Sequence, residues 1–468
     1  MDRLRRDEWR DVKGRAERMS FECDLLGQLP LEIVALIAEH MELADLILLR
    51  RVSQRWRQVL SSPSVCLAAI RATLGAMPNV DPTMWIKRRL RMERGRPSHK
   101  IQFPSPLSPV HDTLMNLRGV GYLNGIYAWL EGSDGRTSVA LLNLWTGRLT
   151  RLTTDNREQL VELRMSETLV AVISTRGFCH VWNINTEEYK NFRLSSLQFK
   201  HFLVNETKVA LGYRDHLVHW GFNTELAHTI PIGLYTVSMA LHPTIDQFAV
   251  ITLCQKYRGE NQENGAGTTD PAAPPEFPNL CRMRTETFAL NGSNEFHLTS
   301  SHVQNLPFGY EWVCMVSHPE EIYHGQSTVL LQSTTPNPEG EASSGFYLTI
   351  DSDQNIMAHS VPTDLFKVTN LVCLEKGVIY APTTSKDALM IVDSSETNIS
   401  WSEQPTMSWL RNSVKRNAPC MNCHWMFGDS DFIILVNLRH VEIWSFSDTW
   451  DFSRLASRSP QPNWPPVF

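Results

Sequence analysis

The stretch Leu29–Ser64, LPLEIVALIAEHMELADLILLRRVSQRWRQVLSSPS, carries more apolar residues than short helices can bury against one another. Its spacing predicts three helices joined by turns of a few residues: Pro30–His40, Asp45–Arg51 and Ser53–Leu60. Ile33 and Ile37 share one face of the first helix, whereas Val34 and Leu36 fall on other faces. A helical unit of about 40 residues cannot hide two apolar faces by itself, so we expect part of this surface to contact another protein.

The residues of this stretch also follow the order of a known motif. In sequence they are Leu29-Pro30-x-Glu32-Ile33, Ile37, Asp45-Leu46, Leu49, Val52, Arg55-Trp56-Arg57 and Ser62-Pro63-Ser64. This order resembles an F-box over its whole length. F-box proteins dock onto the small adaptor of the SCF (Skp–cullin–F-box) ubiquitin ligase, so the resemblance implies a Skp-family adaptor as partner and, through it, a cullin.

The resemblance also assigns residues to the adaptor-binding surface. Carried over position by position, the expected adaptor-binding residues are Leu29, Pro30, Glu32, Ile33, Ile37, Leu46, Leu49 and Val52. Leu46, Leu49 and Val52 are expected to lie only partly in the interface, and Trp56 is expected to hold the three helices together. The alternative is that all of these residues form the ordinary core of a small helical bundle.

Composition places the chain among foldable proteins without an obvious polyanion-binding surface. The 468 residues are 42% hydrophobic and 20% charged, with a net charge of -6. We therefore expect neither nucleic-acid nor membrane binding. The nine cysteines are an odd number, the first 20 residues are charged throughout, and no apolar run approaches the ~18 residues of a membrane span. These features predict reduced thiols and a cytoplasmic or nuclear location.

Hydrophobic periodicity divides the chain into five segments. They are a charged helix or tail (1–24), the F-box (25–67), a helical linker (68–109), a β-rich region (110–456) and a tail (457–468). Beyond residue 110 helical spacing nearly vanishes, and short β-like runs separated by turn residues replace it. The fold class expected is a multidomain α plus all-β protein.

A short pattern recurs through the β-rich region, in which an aromatic or aliphatic strand residue precedes a polar turn. Its seven copies begin at Leu142, Trp182, Trp220, Phe288, Leu348, Ile391 and Trp444. Three of the six spacings are close to the ~40–45 residues of a WD-repeat blade of four strands. The region therefore resembles a WD-repeat β-propeller, and seven blades are expected. Six or eight blades, or another β-rich fold, remain open at this point.

Three longer spacings contain inserts, and the closure of the ring is left open. The inserts are Arg258–Pro278, which has almost no apolar residues and is expected to be disordered, Thr334–Gly345, and the stretch SWLRNSVKRNAPCMNC at 408–423. Lys100–Phe103 can complete the last blade beside Trp450–Leu455, which would remove an open sheet edge. The alternative is closure by consecutive strands alone.

Few residues suggest chemistry. Cys420, Cys423 and His424 form a C-x-x-C-H pattern, which fits haem attachment or part of a zinc site. Two buried thiols near a histidine are the simpler reading, because a fourth zinc ligand is not evident. Phosphate-binding loops, nucleophile elbows and zinc-protease motifs are missing from the sequence. We expect a protein that is not an enzyme and has no cofactor or resident metal.

The leading hypothesis is a substrate-recognition subunit of an SCF-type ligase, whose propeller binds an unidentified target protein. The alternatives are an interaction scaffold outside the ligase and an enzyme built on the propeller. Arginines that precede the third strand of a blade suggest recognition of a phosphorylated target, against an alternative role as exposed turn residues. These arginines are Arg136, Arg176, Arg214 and Arg439.

Overall fold

The computed structural model describes most of the chain. The described residues are 25–74, 81–105, 118–131, 136–233, 236–242, 245–255, 281–292, 294–305, 310–315, 329–333, 345–350, 356–361, 372–373, 378–382, 388–393, 415–419, 425–429, 431–437 and 440–451. The chain divides into two compact units, Met1–Arg91 and Met92–Phe468. The first unit is helical and the second is made of β-strands.

The described residues contain six helices, all before residue 94. They are α1 (Leu25–Gln28), α2 (Leu31–Ala38), α3 (Leu43–Leu49), α4 (Gln54–Leu60), α5 (Pro63–Leu74) and α6 (Pro82–Glu93). Pro30 precedes α2 with φ of -54°, and its carbonyl accepts the amides of Ile33 (3.0 Å) and Val34 (3.1 Å). Ser53 caps α4, because its side chain accepts the amide of Trp56 at 3.0 Å. The three predicted helices of the F-box stretch correspond to α2, α3 and α4.

One side of each helix forms the core of the helical unit. The fully buried members include Val34, Ala38, Leu46, Leu60, Val65, Cys66, Ile70 and Ile86. Helices α5 and α6, beyond the F-box stretch, supply half of this set. The core of the unit is therefore larger than the F-box stretch itself, and α2 and α3 are each buried on one side only.

The described residues of the second unit form seven four-stranded antiparallel sheets, which we number as blades 1 to 7. Blades 1 to 3 are β2 (Val120–Leu123), β3 (Ile126–Glu131), β4 (Ser138–Asn143), β5 (Leu149–Thr153); β6 (Leu160–Met165), β7 (Leu169–Ser174), β8 (Phe178–Asn183), β9 (Tyr189–Arg193); and β10 (His201–Asn205), β11 (Lys208–Gly212), β12 (His216–Gly221), β13 (Ala227–Pro231).

Blades 4 to 7 complete the set. They are β14 (Thr236–Leu241), β15 (Gln247–Gln255), β16 (Cys281–Leu290), β17 (Phe296–Asn305); β18 (Tyr310–Met315), β19 (Val329–Ser333), β20 (Gly345–Ile350), β21 (Ile356–Val361); β22 (Val372–Cys373), β23 (Val378–Pro382), β24 (Ala388–Asp393), β25 (Lys415–Pro419); and β26 (Trp425–Gly428), β27 (Phe432–Val436), β28 (His440–Ser445) with β1 (His99–Pro104). First strands of neighbouring blades meet between blades 1 and 2, 2 and 3, 3 and 4, and 6 and 7, and β26 of blade 7 meets β2 of blade 1. This arrangement confirms the seven-bladed propeller.

The N-terminal strand completes the last blade. Strand β1 pairs antiparallel with β28, with His99 opposite Ser445 and Pro104 opposite His440. Lys100–Phe103 therefore completes the last blade, which is the first of the two alternatives from the sequence. Closure by consecutive strands alone is wrong. The prediction that this segment lies beside Trp450–Leu455 was wrong. It pairs with β28, which ends at Ser445. The segment assigned to the linker, 68–109, thus contributes a strand to the ring.

Blades 1 and 7 are also joined by side chains. The indole nitrogen of Trp450 donates to the carbonyl of Leu144 at 2.9 Å. The phenol of Tyr122 donates to Oδ2 of Asp429 at 2.5 Å, and the other oxygen of Asp429 accepts the amide of Phe432 at 2.8 Å. These contacts reinforce the join that the β1–β28 pairing makes along the backbone.

The repeat found in the sequence marks the third strand of every blade. Its seven copies begin within β4, β8, β12, β16, β20, β24 and β28, near the end of each strand. The strands before them are buried on both faces: every residue of β7, β11 and β27 is buried. Continuous apolar runs therefore mark the second strands, as the packing of blade on blade requires.

One predicted insert was partly wrong. The stretch 408–423 contains Lys415–Pro419, which is β25, the fourth strand of blade 6. Its sequence, KRNAP, has the charges and proline of an outer strand and so lacks the apolar pattern used to find strands. Residues 1–24, Arg258–Pro278 and 334–344 lie outside the described residues.

Candidate functional site

Exposed apolar side chains are concentrated on the F-box helices. Of the twelve exposed large hydrophobic residues in the described part of the chain, seven lie between Leu29 and Val52. We call this set the apolar surface, and its members are Leu29, Leu31, Ile33, Leu36, Ile37, Leu48 and Val52. The other five lie in or beside blades 2, 3 and 4. Scattered exposed apolar residues are ordinary, but a cluster of this density indicates a binding surface.

Helix α2 is apolar on both sides. Val34 and Ala38 are fully buried in the helical core. Ile33, Leu36 and Ile37 point away from that core with 42%, 56% and 38% of their surface exposed. Leu36 and Ile37 follow Ile33 by three and four positions, so the three form one stripe along the helix. The expectation that Leu36 falls on another face was wrong, whereas Val34 does lie on the opposite, buried side.

The segment from α3 to α4 continues the apolar surface. Leu43 and Leu46 are buried, which fixes α3 against the core, and Leu48 and Val52 are exposed by 49% and 60%. Leu49 is half-buried and packs against the core.

Charged residues border the apolar surface with opposite signs. Exposed acidic residues belong to α2, α3 and the loop between them: Glu32, Glu39, Glu42 and Asp45. Exposed basic residues follow α3 and continue into α4: Arg51, Arg55 and Arg57. A partner that covers the apolar surface thus meets an acidic border on one part and a basic border on the other, which favours one orientation of docking.

Arg50 fixes the end of α3 to the helices that follow. Its guanidinium Nη2 donates to the carbonyl of Leu60 at 2.9 Å and lies 3.1 Å from Sγ of Cys66. Leu60 closes α4 and Cys66 lies on α5, so one side chain joins three helices.

The structure separates the eight predicted adaptor-binding residues into two groups. Six are exposed: Leu29, Pro30, Glu32, Ile33, Ile37 and Val52. Leu46 is completely buried and Leu49 half-buried, so Leu46 belongs to the core and is left out of the surface proposed below. Trp56 is half-buried against the core, where an anchor of the three helices is expected. Leu31, Leu36 and Leu48 belong to the apolar surface, although the motif did not assign them.

Three of the four predicted arginines of the propeller lie on one face of the ring. Arg136, Arg176 and Arg214 all lie in the turn between the second and third strands of their blades. Because strands alternate in direction, these turns share one face, which we call the upper face. Arg176 and Arg214 are exposed, whereas Arg136 is half-buried and its burial lowers the pKa of its guanidinium. Arg439 lies outside the described residues.

The chain enters the ring on the opposite, lower face. His99, the first residue of β1, pairs with Ser445, the last residue of a third strand. The amide of Ser98 donates to the carbonyl of Ser445 at 2.7 Å, which fixes the entering chain there. The upper face therefore lies away from the point where the polypeptide joins the ring.

A buried polar network within blade 2 escaped the sequence analysis. Nδ1 of His180 lies 2.8 Å from the hydroxyl of Tyr189, and Nε2 lies 3.3 Å from Oε2 of Glu158. Burial lowers the pKa of His180. Burial alone would raise the pKa of Glu158, but hydrogen bonds from Ser174 and His180 lower it overall. The network ties the loop before β6 to β7, β8 and β9, so it stabilises the blade.

Neither a metal cluster nor a membrane helix emerges from the described residues. Within them, three or more His, Cys, Asp or Glu side chains never come together in a geometry that could hold a metal. Cys420, Cys423 and His424 lie outside that part of the chain. Among the helices α1 to α6, none combines the length and the hydropathy that a bilayer crossing requires.

Comparison with known proteins identifies the helical unit. The family model described as "F-box domain" matches residues 26–67. No curated protein matches the chain in a sequence search. Among solved structures, a chain of the mitotic checkpoint complex is similar, at 11% identity and a TM-score of 0.42 over 75% of this chain and 94% of that one.

A second solved structure is similar to the same extent. It is the β-propeller domain of Cps50 (Swd1) from Myceliophteria thermophila, at 9% identity and a TM-score of 0.42, over 75% of this chain and 98% of that one. The family match covers α2, α3 and α4, which carry the apolar surface, and the sheets of the second unit establish the propeller independently. The chain carries an F-box domain, which is followed by a seven-bladed β-propeller.

Proposed function

We propose that this chain is the substrate-recognition subunit of an SCF-type ubiquitin ligase. The F-box binds a Skp-family adaptor and, through it, a cullin, and the propeller binds the protein to be ubiquitinated. The observation that carries the proposal is the apolar surface, which the helical unit leaves exposed although its own core is complete. We place this activity in the cytoplasm or nucleus, where ligases of this type act.

The apolar surface has the size and character of an interface centre. Each half-exposed leucine or isoleucine that becomes buried on binding contributes about 1 kcal/mol. The seven residues together contribute about 7 kcal/mol, which is comparable to the ~4–15 kcal/mol cost of association. A stable complex therefore also needs contacts around the apolar surface, which the borders of opposite charge can supply. The proposed adaptor contacts are therefore Leu29, Leu31, Ile33, Leu36, Ile37, Leu48 and Val52, with Pro30 and Glu32 at the edge.

The proposed mechanism is proximity. A subunit that holds a target lysine near the ubiquitin-charged enzyme raises the effective concentration of the two reactants. Such a subunit needs rigid binding surfaces and no catalytic group of its own. The closed ring, joined by the β1–β28 pairing, meets the requirement for rigidity.

The test is co-purification with a recombinant Skp-family adaptor. The double variant Ile33→Asp with Leu36→Asp places two charges in the apolar surface, where both side chains are exposed and the fold does not need them. We expect loss of adaptor binding with an unchanged melting temperature. Leu226→Asp is the matched control, because Leu226 is equally exposed but lies in a turn of blade 3. Adaptor binding by the double variant at the wild-type level would refute the assignment.

A second measurement separates a ligase receptor from an interaction scaffold. The Ile33→Asp, Leu36→Asp variant, which keeps the core of the helical unit, should capture targets without delivering them to the ligase. Targets captured in this way should accumulate in cells depleted of the full-length protein if the chain is a receptor. Levels that do not change upon depletion would favour the scaffold.

We further propose that targets bind the upper face. Arg176 and Arg214 are exposed there and can pair with phosphate groups. A phosphopeptide library should bind the wild type more tightly than the Arg176→Ala, Arg214→Ala double variant. Equal binding would remove phosphate recognition from the proposal and leave the adaptor assignment intact.

A further inference from the structure

Blade 4 differs from the other blades in the length of its outer strands. Strands β15, β16 and β17 have nine, ten and ten residues, whereas the outermost strands of the other blades have five or six. The innermost strand, β14, ends its pairing at Thr236, opposite Thr252. The three outer strands continue beyond that point, at the end of β15, and so project on the upper face.

The outermost strand of this blade also lacks the usual protection of an exposed edge. Proteins guard edge strands with charges, proline or short length, because an open edge can pair with another chain. Outer strands β5, β9, β13, β25 and β1 each contain lysine, arginine or proline, and β21 is only six residues long. Strand β17, FHLTSSHVQN, contains no charged residue and no proline in ten positions. The other guarding device, a β-bulge, occurs once in it, at Thr299.

Two exposed apolar residues lie on one face of this strand. Leu298 pairs with Phe288 and Val303 pairs with Arg284 on β16. Phe288 and Arg284 are four residues apart, so Leu298 and Val303 share a face, and they are exposed by 48% and 53%. They are the only exposed large hydrophobic residues on the described strands of the ring. An added strand could cover both with alternate apolar side chains.

A bulge between them fixes the register of the strand. The pairing shifts at Thr287, so that Thr299 has no opposite residue on β16. The hydroxyl of Thr299 donates to the carbonyl of Thr287 at 3.0 Å, which stabilises the irregularity. The strand is therefore held in one register and presents Leu298 and Val303 at fixed positions.

Charge indicates the chemistry of the occupant. Arg284, beside Val303, has a half-exposed guanidinium whose Nη1 lies 3.6 Å from Oε1 of Glu286. Strand β17 adds no negative charge, so an acidic residue in an incoming strand would complement the arginine. A complementary segment is extended, free of proline, apolar at alternate positions and mildly acidic.

We propose that the outer edge of β17 is a binding site for an extended segment of a partner protein, which adds a fifth strand to blade 4. Ten residues at about 3.4 Å each give a ladder of roughly 34 Å, twice that of the other outer strands. The binding itself does not require the adaptor. Only the identity of the partner as a ligase target rests on the proposed function.

The probe is a fluorescein-labelled ten-residue peptide with blocked ends, TVTIEVTVTS, titrated against the full-length chain by anisotropy. The double variant Leu298→Lys with Val303→Lys guards the edge, and Leu226→Lys is the control for an added charge at an exposed leucine. We expect the Leu298→Lys, Val303→Lys variant to bind the peptide at least about tenfold more weakly than wild type. The Leu226→Lys control should bind within about twofold of wild type. A matched peptide with proline in place of two central residues should not bind, because proline cannot donate to the ladder.

Three results would overturn the proposal. They are equal peptide binding by the guarded variant, equal binding of the proline peptide, and lack of binding to the wild type at millimolar concentration. Sedimentation of the same samples measures the oligomeric state and so tests whether a second copy of the chain binds this edge. A wild-type dimer that becomes monomeric in the lysine variant would assign the edge to self-association. The adaptor pull-down is independent of all these results, so failure of one does not imply failure of the other.

Discussion

His219 should make the propeller sensitive to acid. This side chain lies on β12, is 3% exposed, and neither of its ring nitrogens has a hydrogen-bond partner among the described residues. Burial lowers its pKa from an ordinary 6.5 to about 4, with Asp246 acting in the opposite direction and Lys208 and His228 adding to the effect. The ring of Phe296, 4.9 Å away, completes an apolar environment for the imidazole.

The sign follows from proton binding. Between pH 6.5 and 4 the unfolded chain binds a proton at His219 that the folded chain does not, so the free energy of unfolding falls as the pH falls. At about 1.4 kcal/mol per pH unit, the loss is about 2 kcal/mol at pH 5 and approaches about 3 kcal/mol below pH 4. The stabilising contribution is fully present above pH 6.5.

The assay compares wild type with His219→Leu by urea unfolding, followed by tryptophan fluorescence at pH 7.5 and pH 5. The variant should lose about 2 kcal/mol less than wild type between these two values. His297→Gln, on the exposed surface of β17, is the control and should follow the wild type. An identical loss of stability in wild type and His219→Leu would refute the reasoning from burial.

Three further predictions concern stability. Leu46→Ala should lower the free energy of unfolding by about 2–5 kcal/mol in a chemical denaturation experiment, whereas Leu48→Ala, at an exposed position, should change it by less than about 0.5 kcal/mol; similar losses would contradict the assignment of faces. Gly125→Ala should lower the melting temperature, because Gly125 has φ of +77° and a Cβ there would clash with Trp145; an unchanged melting temperature would exclude this strain. Ser53→Ala should cost about 1 kcal/mol of stability through the lost cap of α4, and Ser53→Asp should recover most of it if the cap is the cause.

The order of elements was predictable because short-range patterns determine it. The repeat that begins at Trp182, Trp220 or Trp444 marks third strands, since a bulky residue at that position fills the space between neighbouring blades. Apolar patterns did not reveal β25, the fourth strand of blade 6, because its residues Lys415–Pro419 carry the charges of an outer strand. Outer strands are half exposed, so many of their residues are polar and the apolar pattern of a packed strand is weak.

Contacts between distant segments were less predictable. Strand β1 can form backbone hydrogen bonds with any open sheet edge, and its sequence does not indicate which strand it pairs with. The bond between His180 and Glu158 depends on a loop that passes over the blade, and neither residue belongs to a recognisable spacing. For the F-box helices, the motif located the apolar residues but did not show which of them are buried. Leu46 and Leu48 are both apolar, and only the packing of α3 decides that the first is buried and the second exposed.

The position of β1 has a consequence for biosynthesis. Ser98 and Asp448, which meet at the junction of blade 7, are 350 residues apart in the chain. At about 5–20 residues per second, a ribosome needs roughly 20–70 s to synthesise the intervening polypeptide, during which β1 has no β28 to pair with. Nascent chains must therefore be shielded from aggregation for that period. A premature stop codon anywhere before His440 leaves the ring open, and the product should be removed by quality control.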